Sequence, residues 1–192
     1  MKTLRPTLTL ALLAGLTTGA AHAADFTQVL TDKSSLAFTS KQMGVPVDGL
    51  FRKFSAQLAF DPAKPATAST VLEIDLASID AGSKDANEEV VGKQWFNVKA
   101  FPTARFVSTA VKAVGGGRYE VSGKMTIKGQ THDVVAPFTF RQDGANGVFD
   151  GGFVLKRMDF GIGEGPWSDV SAVANEIQIK FHVVAAPAPA KK

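Results

Sequence analysis

The side chains able to do chemistry are few and scattered. Past residue 23 the chain has two histidines, His132 and His182. They sit at unrelated positions, a poor constellation for a metal, which takes three or four ligands converging on one point. His132 shares the parity of a long apolar strand face, and His182 has the polar parity of the last strand. For His132 the plain reading is a buried, hydrogen-bonded or turn-end imidazole; the sharper one is a ligand contact. Asp85, Glu88 and Glu89 form an acidic cluster, but acids at a helix start are commonly solvated and suit the helix dipole. The glycine-rich segment Gly161-Ile162-Gly163-Glu164-Gly165 does not follow a buried parallel strand, so it reads as a loop or lid rather than a phosphate cradle. G-x-S-x-G, H-E-x-x-H, P-loop and dinucleotide fingerprints are missing from the sequence. We therefore expect no catalytic residue, no metal and no cofactor.

The stronger signal is apolar. There are 14 Phe against 1 Tyr and 2 Trp, and phenylalanine offers large apolar area with no polar handle to satisfy. Phe38, Phe54, Leu58, Ile74, Phe106, Met125, Phe138, Phe153 and Phe181 fall on inferred inner strand faces. Trp95, Phe96 and Trp167 fall in irregular segments where a mouth could lie. Any one of these residues is most simply core. As a set inside a closed barrel they describe a long apolar cavity.

The elements that must position them alternate with period 2, as strands do. The clearest runs are at 118–140. Tyr119, Val121, Gly123, Met125 and Ile127 oppose Arg118, Glu120, Ser122, Lys124, Thr126 and Lys128. After the turn Lys128-Gly129-Gln130, His132, Val134, Ala136, Phe138 and Phe140 share a face. This is an antiparallel hairpin. On it Tyr119, Val121, Met125, Val134 and Phe138 are wall candidates, with Gly123 leaving space in the bore. Further strands are expected at 35–40, at 47–60 with a bulge or bend between Phe51 and Phe54, and at 70–80, 104–114, 148–158 and 173–184. Residues 85–91 read as a short helix leading to Trp95-Phe96, a cap across one end. That makes eight antiparallel strands with a helical insertion between the third and fourth. An eight-stranded barrel has room for side chains or one small ligand; a two-sheet sandwich is the alternative from pattern alone.

The ends read differently. Lys2 and Arg5 precede an apolar run at 8–16 and an Ala21-His22-Ala23 cleavage site, so residues 1–23 are expected to be a secretory signal removed after Ala23. The apolar run is too short to span a bilayer. Domain boundaries are thus 1–23 signal, 24–184 barrel, and 185–192 an Ala/Pro/Lys tail expected to be disordered. Losing Lys2 and Arg5 takes Lys+Arg from 21 to 19 against 18 Asp+Glu, so the charge is no argument for nucleic acid. With 0 Cys there is no disulfide, thiolate nucleophile or lipoprotein anchor. The expected location is the periplasm.

Several stretches, in order and spacing, resemble the YceI-like, polyisoprenoid-binding family of exported bacterial proteins. They are Val47-Asp48-Gly49-Leu50-Phe51-Arg52-Lys53-Phe54 followed by Leu58-Ala59-Phe60-Asp61-Pro62; Glu73-Ile74-Asp75 with Ser78-Ile79-Asp80; Trp95-Phe96-Asn97 with Phe101-Pro102-Thr103-Ala104-Arg105-Phe106; Val121-Ser122-Gly123-Lys124-Met125-Thr126-Ile127-Lys128-Gly129; and Arg157-Met158-Asp159-Phe160-Gly161-Ile162. The resemblance implies an extended lipocalin-like barrel that holds an isoprenoid or other long-chain lipid, often as a homodimer. Some relatives are associated with membrane b-type cytochromes, which makes a quinone a candidate. In place of a basic segment found in many relatives, this chain has Lys84-Asp85-Ala86-Asn87-Glu88-Glu89. The function expected is a lipid carrier. Two other classes stay open: a lipid- or quinone-linked enzyme using His132 or Glu88 and Glu89, and a partner of a membrane cytochrome whose lumen is packed shut.

Overall fold

A computed structural model describes residues 25–189. Its strands are Phe26–Val29 (β1), Ser35–Gln42 (β2), Val45–Phe51 (β3), Phe54–Ala59 (β4), Ser69–Asp75 (β5), Ile79–Asp80 (β6), Thr103–Gly115 (β7), Arg118–Ile127 (β8), Gln130–Asp143 (β9), Asn146–Lys156 (β10) and Glu176–Pro187 (β11). One α-helix, Lys84–Val90 (α1), lies between β6 and β7; Ser83 caps it by accepting from the Ala86 amide at 3.2 Å. Every pairing is antiparallel, in the order β4-β5-β7-β8-β9-β10-β11-β2-β3-β6, with β1 beside β11. The sheet curls on itself, and two ties draw its ends together. At one end, Phe26 and Phe60 exchange backbone hydrogen bonds of 2.9 and 3.1 Å between β1 and the residue after β4. At the other, Arg52 N–H donates to Ser78 O at 3.0 Å and Asp75 N–H to Lys53 O at 3.1 Å. The Arg52–Asp80 ion pair locks this corner. The Gly82 amide, then the Arg52 guanidinium, hold the Asp80 carboxyl below the usual carboxylate range.

The all-β, antiparallel, lipocalin-like architecture agrees with the expectation, but eight strands become eleven among the described residues. The stretch 47–60 is two strands with different neighbours: β3 pairs β2 and β6, whereas β4 pairs β5. The bend expected between Phe51 and Phe54 is real, and it moves the chain to another part of the sheet. The stretch 70–80 is divided by a turn of 3-10 helix at Leu76–Ser78, where the Asp75 carboxylate accepts from the Ala77 amide at 3.0 Å and Leu76 turns into the core. β1 was unforeseen. The expected strand 148–158 ends at Lys156, and the next four residues form a 3-10 turn. The tail starts later than expected: β11 runs through Pro187, pairs β1, and buries Ala185 completely (0% exposed). Residues 185–187 are therefore strand. The expected signal peptide and the last three residues lie outside the described residues.

The hairpin of β8 and β9 has the expected register, with Met125 opposite His132 and Tyr119 opposite Phe138. Lys128 and Gly129 form its turn at φ 49° and 78°, the left-handed pair that matches strand twist. One detail of the bore differs. Gly123 does not leave open space, because the Phe106 ring of β7 lies across it; a Cβ there would stand 2.4 Å from Phe106 Cζ and 2.4 Å from the Val107 carbonyl oxygen. Gly151 of β10 takes the Phe181 ring of β11 in the same way, at 2.5 Å. The rings lie against the wall instead of standing into the lumen. Gly123→Ala is thus expected to cost about 1–3 kcal/mol through overpacking, read as a lower urea midpoint at unchanged slope.

Candidate functional site

The curled sheet encloses a cavity of about 590 Å³. Its walls are the inner faces that alternation placed together. Phe54, Leu58 and Ile74 contribute from β4 and β5; Phe106, Val121, Met125 and Phe138 from β7, β8 and β9; Phe153, Phe181 and Phe38 from β10, β11 and β2. Trp95 and Trp167 line its capped end. Phe38, Phe54, Leu58, Phe153 and Phe181 are only half-buried although they point inward. In a sheet curled on itself, that combination means a side chain facing open space rather than a packed neighbour. The lumen is not packed shut.

Tyr119 is the exception among the predicted wall residues. Its parity is right, but it sits deeper along the barrel, in an aromatic floor with Phe26, Phe60, Phe138, Phe140 and Phe149. It stacks on Phe138 at 5.3 Å with an 18° interplanar angle, and meets Phe60 edge-on at 5.4 Å. Phe60 and Phe149 close the plug at 5.0 Å. Offset and edge-to-face pairs of this kind add to ordinary apolar burial. The floor makes the cavity blind at the β1 end.

The opposite end is built from irregular chain. α1 and the segment after it carry Glu89 and Trp95; the 157–175 stretch carries Arg157, Ile162 and Trp167. They are stitched by the Gly163 and Glu164 amides donating to Gln94 O at 2.9 and 2.8 Å, and by Trp167 Nε1 donating to Glu89 Oε1 at 2.8 Å. Lys128, in the β8–β9 turn, reaches over to Gly161 O and Glu164 Oε2.

The residue that organises this end opens the Arg157–Ile162 stretch that helped carry the family resemblance, although no role was read for it there. Arg157 is 1% exposed. Its Nε donates to Ala174 O, Nη1 to Ile162 O and Gly163 O, and Nη2 to Trp167 O and Val173 O, at 2.7–3.1 Å. Burial lowers its pKa from the ordinary arginine value, yet among the described residues no carboxylate pairs with it; the carbonyl dipoles do that work. Its guanidinium carbon lies 5.6 Å from the centre of the Trp95 ring, within cation–π range. In the sequence it falls within the expected strand 148–158, and nothing local shows what the arginine does there.

The other chemically capable side chains are not gathered. His132 is exposed at the rim, its Nε2 2.8 Å from Asp159 O and its ring edge-on to Phe160. His182 pairs with Asp150 through Nδ1 at 2.5 Å. Neither lines the cavity. Glu88 points to solvent beside Lys84, while Asp85 and Glu89 stand at the cavity's lip. Of the residues named by the enzyme reading, His132 and Glu88 stay outside the cavity lining and Glu89 joins it at the lip.

A model of the YceI-like domain matches residues 28–185. A UPF0312 protein of Pseudomonas savastanoi pv. phaseolicola is 32% identical over 164 residues, covering 80% of this chain and 84% of the relative. A UPF0312 protein of Vibrio cholerae is 30% identical over 174 residues, covering 85% and 88%. Among solved structures, Burkholderia cenocepacia BcnA is similar with a TM-score of 0.81 and 50% identity, over 83% of this chain and 100% of that one. A polyisoprenoid binding domain from Saccharophagus degradans shares the fold at a TM-score of 0.65 and 14% identity, over 87% and 100%.

Proposed function

This chain belongs to the YceI-like family, and from that premise we propose that it is a periplasmic binding protein that shields the hydrocarbon chain of an isoprenoid-type lipid from water. The observation that carries the reading is the blind apolar cavity of about 590 Å³ walled by half-exposed inner-face phenylalanines. That volume lies in the range of cavities that hold small molecules. The polyisoprenoid binding domain of the same fold supports the choice of ligand class. The protein binds and releases its ligand; it does not transform it.

Burying about 15 methylene equivalents offers roughly 12 kcal/mol gross, before the costs of association and ordering. One methylene more or less changes affinity by only about 1–3 kcal/mol. The protein thus selects a class of chain rather than one length.

Protein purified from the periplasm of cells expressing the full precursor is expected to begin at Ala24. Native mass spectrometry should show it carrying long-chain lipid of mixed mass. After delipidation it should take up polyprenols again. A protein that emerges empty and takes up neither a polyprenol nor a fatty chain would end this reading, and one retained in the cytoplasm would end its location.

A further inference from the structure

We infer that the seam between β9 and β10 is a side door to the lumen, through which a hydrocarbon chain enters and leaves, with Pro137 keeping the seam unzipped and His132 clasping it. This rests on the lipid-binding reading above and adds the route to it.

The two strands part midway. β9 runs Gln130–Asp143 and β10 Asn146–Lys156, yet their pairing ends at Phe138 opposite Gly151. From there to the capped end β9 keeps β8 as its paired neighbour and β10 keeps β11. Pro137 supplies the reason. Its carbonyl faces β10, since a Cβ at Gly151 would stand 2.5 Å from that oxygen. In an antiparallel ladder the N–H and C=O of one residue point to the same neighbour. The next bond would run from residue 137 to Gly152, and proline has no hydrogen to give. A side chain bridges what the ladder leaves. His132 Nε2 donates to Asp159 O at 2.8 Å, and its ring meets Phe160 edge-on with centroids 4.9 Å apart. A carbonyl only accepts, so Nε2 carries the hydrogen.

The seam is also where an apolar path crosses the wall. On the lumen side, Val134 and Phe153 line the cavity from the two lips and are half-buried. On the outer side, Val135 and Val154 are each 53% exposed. Continued past Gly151, the register would set these two valines opposite each other. Where the strands are still zipped, the outward pair is polar, Thr139 opposite Asp150. Parting the seam breaks a side-chain hydrogen bond and no ladder, so it is an inexpensive place to open. The two ends of the lumen are held more firmly. The aromatic floor around Phe60 plugs one. At the other, Arg157, Lys128 and Trp167 tie the cap through carbonyls and carboxylates.

The chain has 0 Cys, so Val135→Cys with Val154→Cys allows one intramolecular disulfide, across the seam. Stopped flow follows uptake of the fluorescent isoprenoid alcohol all-trans-retinol by delipidated protein, and its release into excess phosphatidylcholine vesicles. Oxidation is expected to slow both at least about tenfold with Kd within about twofold, because closing a route raises the barrier equally in both directions. Dithiothreitol should restore the rates. His132→Ala should speed both by about 3- to 10-fold, the worth of one hydrogen bond. Pro137→Val returns the missing donor. It should raise amide-exchange protection at Val135 and Val154 and slow both rates at least about threefold, and it carries the test should the disulfide not form. Oxidised protein that exchanges retinol as fast as reduced protein overturns the side door and sends the chain past the lip at Asp85 and Glu89. So does Pro137→Val if protection rises and exchange is unchanged; if protection does not rise, the role given to Pro137 is wrong. A loss of affinity at unchanged uptake rate makes the seam wall and not door. Parent protein that binds neither retinol nor geranylgeraniol overturns lipid binding itself, and the door with it.

Discussion

Arg157→Met is expected to lower the unfolding free energy by about 3–5 kcal/mol. The methionine keeps the apolar stem but removes all five donors. Five carbonyl oxygens would then face a buried pocket without partners, each costing on the order of 1–3 kcal/mol if left dry. Water entering the vacated space limits the total, which is why the sum is not additive. The loss is directional. The carbonyls come from Ile162, Gly163, Trp167, Val173 and Ala174, so the stretch 161–175 should lose amide-exchange protection first, and the β8–β9 hairpin last. Arg157→Lys keeps the charge but offers three donors from one point, and should fall between. Urea titrations of the three proteins, with exchange mapped along the chain, give both readings. A methionine variant within about 1 kcal/mol of the parent would mean that the carbonyls are satisfied without the arginine, and the proposed organising role would be wrong.

How visible each part was in the sequence follows from how far apart its causes lie. The β8–β9 hairpin was readable because period-2 alternation and a Lys128-Gly129 turn are local. The inner-face set Phe38, Phe54, Leu58, Ile74, Phe106, Met125, Phe138, Phe153 and Phe181 was readable for the same reason, since parity alone assigns a face. Parity does not give depth along the barrel. Tyr119 therefore shares a face with Val121 yet stacks into the floor on Phe138. Nor does parity show what a neighbouring strand brings: the register placing Ser108 opposite Gly123 lets Phe106 cover the glycine. β1 has four residues, too few to display a period. The split of 47–60 into strands with different partners depends on Ser78, Asp80 and Lys53 meeting at a corner. Arg157 is the extreme case. Its neighbours in sequence suggest an ordinary strand end, and its meaning lies in carbonyls up to 17 residues away.

Filling the lumen should weaken lipid uptake about 100-fold without harming the fold. Leu58 of β4 and Val134 of β9 both line the cavity and are half-buried, so each has open space beyond its side chain. Leu58→Trp with Val134→Trp would place two indoles in the bore. Displacing about four methylenes of a bound chain forfeits roughly 3 kcal/mol, or about 100-fold in affinity. The empty protein should keep or gain stability, because an unfilled apolar void already costs it contacts. Opposite signs for binding and stability separate a carrier from a scaffold whose interior is merely loosely packed. Tyr119→Phe is the matched control: it alters a floor side chain that does not itself line the cavity, and should leave affinity within about twofold. Displacement of N-phenyl-1-naphthylamine by geranylgeraniol, run beside urea unfolding, measures both quantities. A double-tryptophan variant that folds and still binds with parental affinity would place the lipid somewhere other than this lumen, since two indoles and a hydrocarbon chain cannot occupy the same apolar space at native packing density.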